Sequence, residues 1–192
     1  MGAAADGVGR GNTEHFDVMR TSALVLGTAL VLAGAGTASA IGEKATAEIK
    51  GRDGKEMGSI TIVEATSGVL LRVKLKGLSP GAHGFHLHEV GKCEGDFSSA
   101  GQIYNPLGAK HGFLNEEGPM SGDLPNLFAS AAGEVDVEIF SPFATLNKDA
   151  EEALLDANGA AFVIFEKADD YTSESDGNAG ARIACGVIAA SK

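Results

Sequence analysis

The chain has 192 residues, 44% of them hydrophobic, with a formal charge of −11 and a pI near 4.8. That length accommodates one well-buried domain plus a short extra segment and argues against a second full domain. The acidic balance argues against nucleic acid or an anionic membrane surface as partner, since both are bound through basic patches.

The extra segment comes first. From Thr21 the run "TSALVLGTALVLAGAG" is apolar and small, follows Arg20 and closes on Ala38-Ser39-Ala40, an A-x-A cleavage pattern. It predicts an export signal within residues 1–40 and a mature domain over 41–192, periplasmic or secreted and free of the membrane after cleavage. A transmembrane anchor is the rival reading, disfavoured by the Gly, Ala and Thr content and by the small residues at the end of the run. Asp6, Glu14 and Asp17 suit a signal's first region poorly, whereas Met19-Arg20 would open a compact signal, so Met19 is a candidate true start.

Beyond residue 41 the chain reads as β-structure almost throughout. Strands are expected near 45–50 and 58–64, then in "VLLRVKLKGL", where Leu71, Val73 and Leu75 take one face and Arg72, Lys74 and Lys76 the other. The next strand, 83–89, carries "HGFHLHE"; further strands fall at 124–130, in "EVDVEIF" with Val135, Val137 and Ile139 inward, and at 161–166 and 181–189. Between them, "GRDG", "LSPG" and "AAGE" are turn signals. "NKDAEEALLDA", 147–157, is the one helix-like piece, with Asn147 as candidate cap and too few apolar positions for more than a short turn. Two long connections, 90–122 and 167–180, stand out, and long ordered loops on a compact β domain usually carry function. The pattern fits an antiparallel sandwich or a Greek-key barrel.

Side chains two apart on a strand share a face, so His86 and His88 could approach one metal ion while Phe85 and Leu87 point the other way. Two ligands do not complete a site. Cys93 and Cys185 are the only cysteines, and in an exported chain they are expected to be joined; without C-x-x-C spacing they are poor metal ligands.

"HGFHLH", "AGQIYNPLGAKHG", "SGDLPNLF", "EKADD" and "GNAGARIACGVI" occur in an order and spacing that resemble the Cu/Zn superoxide dismutases, with "GDLP" similar to the bacterial branch. The resemblance covers about residues 45 to 190. It implies an eight-stranded antiparallel Greek-key β-barrel with two long loops and one intrasubunit disulfide, matching Cys93 and Cys185. It also implies a copper and a zinc that share a bridging histidine, and leaves a homodimer open.

Carried over residue by residue, the resemblance makes His86 and His88 copper ligands and His111 and Asp123 zinc ligands. The bridging histidine falls at Ile103, the fourth copper histidine at Phe165 and the remaining zinc histidine at Met120, so three of the seven ligand positions are lost. Neither Ile103 nor Phe165 has a lone pair, and the Met120 thioether suits Cu(I) better than zinc. No spare imidazole exists: His15 lies in the leader and His83 matches a supporting residue. Arg182 matches the arginine that guides superoxide, yet Glu166, Asp169, Asp170, Glu174 and Asp176 are near it in sequence, and a structural bond to loop carbonyls is equally open. Asp169 matches the aspartate that joins one histidine of each metal site, here His86 and His111. The sequence thus predicts an exported superoxide dismutase-fold protein with a degraded metal centre and little or no activity. Its rivals are a working dismutase with a reduced copper site, for which superoxide would be substrate, and a periplasmic copper-binding protein using a donor such as Met120. Copper and zinc occupancy is doubtful on this reading.

Overall fold

The structure, a computed structural model, describes residues 41–191; the expected leader, its cleavage site and the candidate start at Met19 lie outside them. The strands are β1 (Lys44–Gly51), β2 (Glu56–Ala65), β3 (Gly68–Leu75), β4 (Gly81–His83), β5 (Phe85–His88), β6 (Leu127–Ala129), β7 (Val135–Ser141), β8 (Ala161–Phe165) and β9 (Arg182–Ala190). One antiparallel sheet runs β5-β8-β9-β1-β2-β3-β7, and β4 pairs with β6 in a short ribbon. β4 and β5 are one bent strand broken at Gly84, and β6 lies against β7. The sheet therefore curls into the eight-stranded Greek-key barrel that the sequence predicts.

The inward faces follow the two-residue period. On β3, Val69, Leu71, Val73 and Leu75 are buried, while Arg72 and Lys74 face water and pair across the ladder with Glu138 and Asp136 at 2.7 and 3.1 Å. Such exposed pairs contribute at most about 1 kcal/mol each, so the apolar face stabilises this pairing and the charges mainly keep its outer surface wet. The expected inward face of β7 is only partly dry: Val135 is buried but Val137 is 38% exposed. β7 ends the sheet and has a hydrogen-bonded neighbour on one side only, which leaves the middle of the strand at a seam.

One expectation is corrected. The strand over 83–89 divides because Gly84 turns the chain between two partners, β6 before it and β8 after it. A Cβ at Gly84 would stand 2.8 Å from the Cβ of Ala179, so only glycine permits the long loop to approach there. Residues 147–157 form turns, in keeping with their few apolar positions. The Asn147 side chain accepts from the Asp149 amide, and the segment folds back so that the Thr145 amide donates to the Glu152 carbonyl and the Leu154 amide to the Thr145 carbonyl. Tertiary contacts decide this: Ala153 and Leu154 are buried, and the Glu64 carboxylate, itself only 8% exposed, accepts from Thr145 Oγ1 and the Leu146 amide.

Candidate metal centre

β5 places Phe85 and Leu87 in the main core and turns His86 and His88 outward, yet both imidazoles are buried. The two long loops cover them. The first runs along the free edge of β5, where the Leu87 amide donates to the Gly122 carbonyl and the Tyr104 amide to the Leu87 carbonyl. The edge of β5 is thus paired by loop backbone, which brings Ile103 opposite His88 and Asp123 opposite His86.

The Cys93–Cys185 disulfide ties this loop to β9, with Cα atoms 5.8 Å apart. Beside it Phe97 and Ala100 pack on Ala161, Val163, Phe165 and Ala179 in a small second core. The Arg182 guanidinium donates to the Phe97 carbonyl at 2.7 Å and to the Gly101 carbonyl at 2.9 Å. Gly101 also accepts from His88 Nδ1 at 3.0 Å, so Arg182 and His88 are fixed through one shared carbonyl. Asp176 and Asp96 both act on the Arg182 charge.

The second loop supplies Asp169. Its Oδ2 accepts from His86 Nε2 at 2.9 Å and its Oδ1 from His111 Nε2 at 3.2 Å, and the Tyr171 amide adds a bond of 2.6 Å. Asp123 accepts from His111 Nδ1 at 2.7 Å through Oδ1 and from the Gly112 and Met120 amides through Oδ2. His111 is consequently held between two carboxylates, with both carboxylates and the ring buried. Gly177 makes room for this arrangement, since a Cβ there would fall on Asp169 Oδ1.

Asn126 is a residue that the sequence did not single out. Its Oδ1 accepts from the Asp169 amide at 2.8 Å, its Nδ2 donates to the Asp169 carbonyl at 2.9 Å, and its own amide donates to the Tyr171 hydroxyl. It clamps the Asp169 backbone from 43 residues away. Its place in "SGDLPNLF" was the only available signal, and nothing local marks it. His83 is also structural, with Nδ1 donating to the Phe165 carbonyl at 2.8 Å.

The three positions expected to lack a ligand carry two hydrocarbon side chains, Ile103 and Phe165, and the thioether of Met120. Ile103 and Phe165 are buried, and the Phe165 ring stands 5.1 Å from that of His86 and 6.0 Å from that of His88. Met120 is half-buried and contributes its amide to Asp123. Donor atoms of His86, His111 and Asp123 lie within 4.8 Å of one another, but both His111 nitrogens and both Asp123 oxygens are already hydrogen-bonded. A divalent ion among them would have to break those bonds. A copper–zinc pair joined by a shared imidazole does not fit these residues.

The charge states follow from the same contacts. Burial alone would keep His111 neutral, but the hydrogen bonds that it donates to Asp123 and Asp169 outweigh this and raise the ring from 6.5 to about 10. His88 goes the other way, from 6.5 to about 3, through burial first and then the charge of Arg182. Asp169 is held well below the usual carboxylate range: burial opposes this, and the bonds from His111 and His86 prevail.

These shifts set a pH dependence for the metal-free protein. The His111 contribution is complete below 6.5 and is lost as pH rises towards about 10, because the folded state then gives up a proton that the unfolded chain has already lost. The depressed His88 value removes stability as pH falls from 6.5 towards about 3, where the unfolded chain binds the extra proton. Stability in chelator is therefore expected to peak between about pH 6 and 7 and to fall on both sides. Urea midpoints measured from acid to alkaline pH check this, and a midpoint that climbs steadily into the alkaline range would contradict a protonated His111.

A closed barrel, a disulfide-tied loop and an aspartate between two buried histidines define a protein built on the plan of a copper/zinc oxidoreductase of superoxide. The sequence profile of the copper/zinc superoxide dismutase (SODC) family matches residues 56–188, and the chain belongs to that family. It is 48% identical over 147 residues to a Cu-Zn superoxide dismutase of Caulobacter vibrioides, covering 75% of this chain and 84% of that one. It is 44% identical over 144 residues to the superoxide dismutase-like protein YojM of Bacillus subtilis, covering 73% and 74%. Among solved structures, a SOD-like protein from Bacillus subtilis superposes with a TM-score of 0.73 at 42% identity, covering 77% of this chain and 99% of that one. The Cu/Zn superoxide dismutase from Brucella abortus superposes with a TM-score of 0.63 at 33% identity, covering 77% and 100%.

Proposed function

We propose that this chain is an exported protein of the superoxide dismutase fold whose metal centre no longer supports dismutation. The observation that supports the reading is the Phe165 ring, packed 5.1 Å from that of His86 at the place that the resemblance gives to the fourth copper histidine. Dismutation requires a metal that cycles between two oxidation states beside an open coordination position, and an imidazole copper site needs about three rings to hold both states. Two rings remain. Closure of the cavity by Phe165 and Ile103 keeps the barrel packed without a metal, as volume-filling apolar side chains do in any core. Anion guidance has lost its purpose in this account, and Arg182 acts as the clamp that joins the Phe97 and Gly101 carbonyls. The disulfide supports export, because such bonds persist in oxidising compartments.

Protein loaded with copper and zinc is expected to remove superoxide at close to the rate of a protein-free control. A chelator-sensitive rate within reach of the diffusion limit of about 10⁹ M⁻¹s⁻¹ would overturn the reading in favour of a working dismutase.

A further inference from the structure

Away from the buried histidines, the two long loops meet in a group of exposed apolar side chains. Phe113 and Leu114 of the first loop are 40% and 72% exposed, and Phe128 on β6 is 70% exposed. The ring of Tyr171, from the second loop, stands 5.5 Å from that of Phe113, and the Tyr171 carbonyl accepts from the Leu114 amide at 3.0 Å. Its hydroxyl accepts from the Asn126 amide at 2.7 Å. Phe128 follows two residues later, about 7 Å along an extended chain, and the exposed Pro125 comes just before. These side chains form one continuous surface.

The aromatic pair is fixed from beneath. Tyr171 has φ 61°, a left-handed backbone that side chains other than glycine rarely adopt, and its amide is held by Asp169 Oδ1 at 2.6 Å. A Cβ at Gly112 would fall on the Tyr171 carbonyl, so glycine is what lets the two loops approach here. Backbone strain of this kind persists only where surrounding contacts enforce it, and it collects at binding sites. Aromatic rings fixed in advance lose little freedom when a partner covers them.

Area and charge limit what that partner is. Phe113, Leu114 and Phe128 leave roughly 300 Å² of apolar surface in water, the size of a functional patch on a monomer but well short of the ~800 Å² per partner in a stable interface between folded proteins. A short segment matches that footprint. Glu116 and Glu117 follow Leu114, and Asp170 and Glu174 flank Tyr171, all of them exposed; Lys110, whose amide donates to the Glu117 carbonyl, is a cation at the same border. Bonds from Ser173 and Thr172 hold the Asp170 carboxyl down at about 2, so it stays charged. A second copy would set these carboxylates against their own kind, and an anionic membrane or nucleic acid would be repelled by them. We infer that Phe113, Leu114, Tyr171 and Phe128 dock a short polypeptide segment whose apolar side chains are flanked by lysine or arginine. The apolar side chains cover the aromatic pair, and the cations face the acidic rim. Docking at this face is independent of the metal centre, and it gives a barrel without dismutation a task.

The probe is a fluorescent synthetic peptide with one phenylalanine and one leucine between lysines, compared with the same peptide carrying glutamate in place of lysine. By fluorescence anisotropy the purified protein is expected to bind one lysine peptide per chain, more weakly as salt rises, and to leave the glutamate peptide free. Leu114→Ser and Phe128→Ser should each weaken binding by about 10-fold or more. Phe140→Ser, which changes a side chain 51% exposed on β7, should leave it unchanged. Sedimentation should show a monomer, and vesicles of anionic lipid should not retain the protein. No binding of the lysine peptide, equal binding of the glutamate peptide, or unchanged binding in both folded serine variants would each overturn the site. A dimer or vesicle binding that Phe128→Ser abolishes would overturn it too, by giving the face to another occupant. Should the serine variants fail to fold, nuclear magnetic resonance shifts of the natural protein decide: movement at Phe113, Tyr171 and Phe128 on adding the lysine peptide supports the site, and movement confined elsewhere sinks it.

Discussion

Reduction of the Cys93–Cys185 bridge is expected to lower the stability of the domain by about 4 to 5 kcal/mol. The bridge spans 92 residues of sequence, and closing so long a loop removes a large share of the unfolded chain's freedom. A second effect adds to this in the folded state. Cys93 holds the loop whose Phe97 and Ala100 pack on Phe165, so releasing it also loosens the small core beneath. Arg182 would continue to hold Phe97 and Gly101, which limits the damage to part of the loop. Native protein should show no titratable thiol, and urea unfolding with and without reductant measures the difference. Two reactive thiols before reduction, or identical midpoints after it, would contradict the bridge's role.

The second large effect is at the aspartate between the histidines. Asp169→Asn is expected to destabilise the metal-free protein by about 1 to 3 kcal/mol through broken buried hydrogen bonds. The carboxylate accepts three bonds, from His86, His111 and the Tyr171 amide, and an amide of the same shape can offer only one oxygen. The other end would then point N–H at an N–H. His111 would also lose one of the two carboxylates that keep it charged, so its protonated form would become harder to hold. The variant should accordingly be hurt most at neutral pH and least in alkali, where His111 is neutral in both proteins. Urea unfolding in chelator at several pH values tests this, and equal midpoints with equal slopes would show that the bridge carries no stability.

The sequence by itself determined the barrel and which residues stand at the expected ligand positions. Alternation over Val69–Leu75 and Val135–Ile139 reflects a property of each strand alone, because successive side chains point to opposite faces whatever the partner. The absence of an imidazole at Ile103 and Phe165 is likewise legible, since no fold can place a lone pair on a hydrocarbon. Only the tertiary structure decided the rest. The division of residues 83–89 at Gly84 depends on two different partner strands and on the approach of Ala179. Residues 147–157 carry a helix-like composition, but the buried Glu64 carboxylate anchors the chain just before them and the segment turns back on itself. Asn126 gains its role from a loop 43 residues away, and the free nitrogens of His86 and His88 are known only once Asp169 and Gly101 have taken the others. Local pattern encodes which face of a strand is dry, whereas hydrogen bonds between groups distant in sequence exist only after the chain has closed.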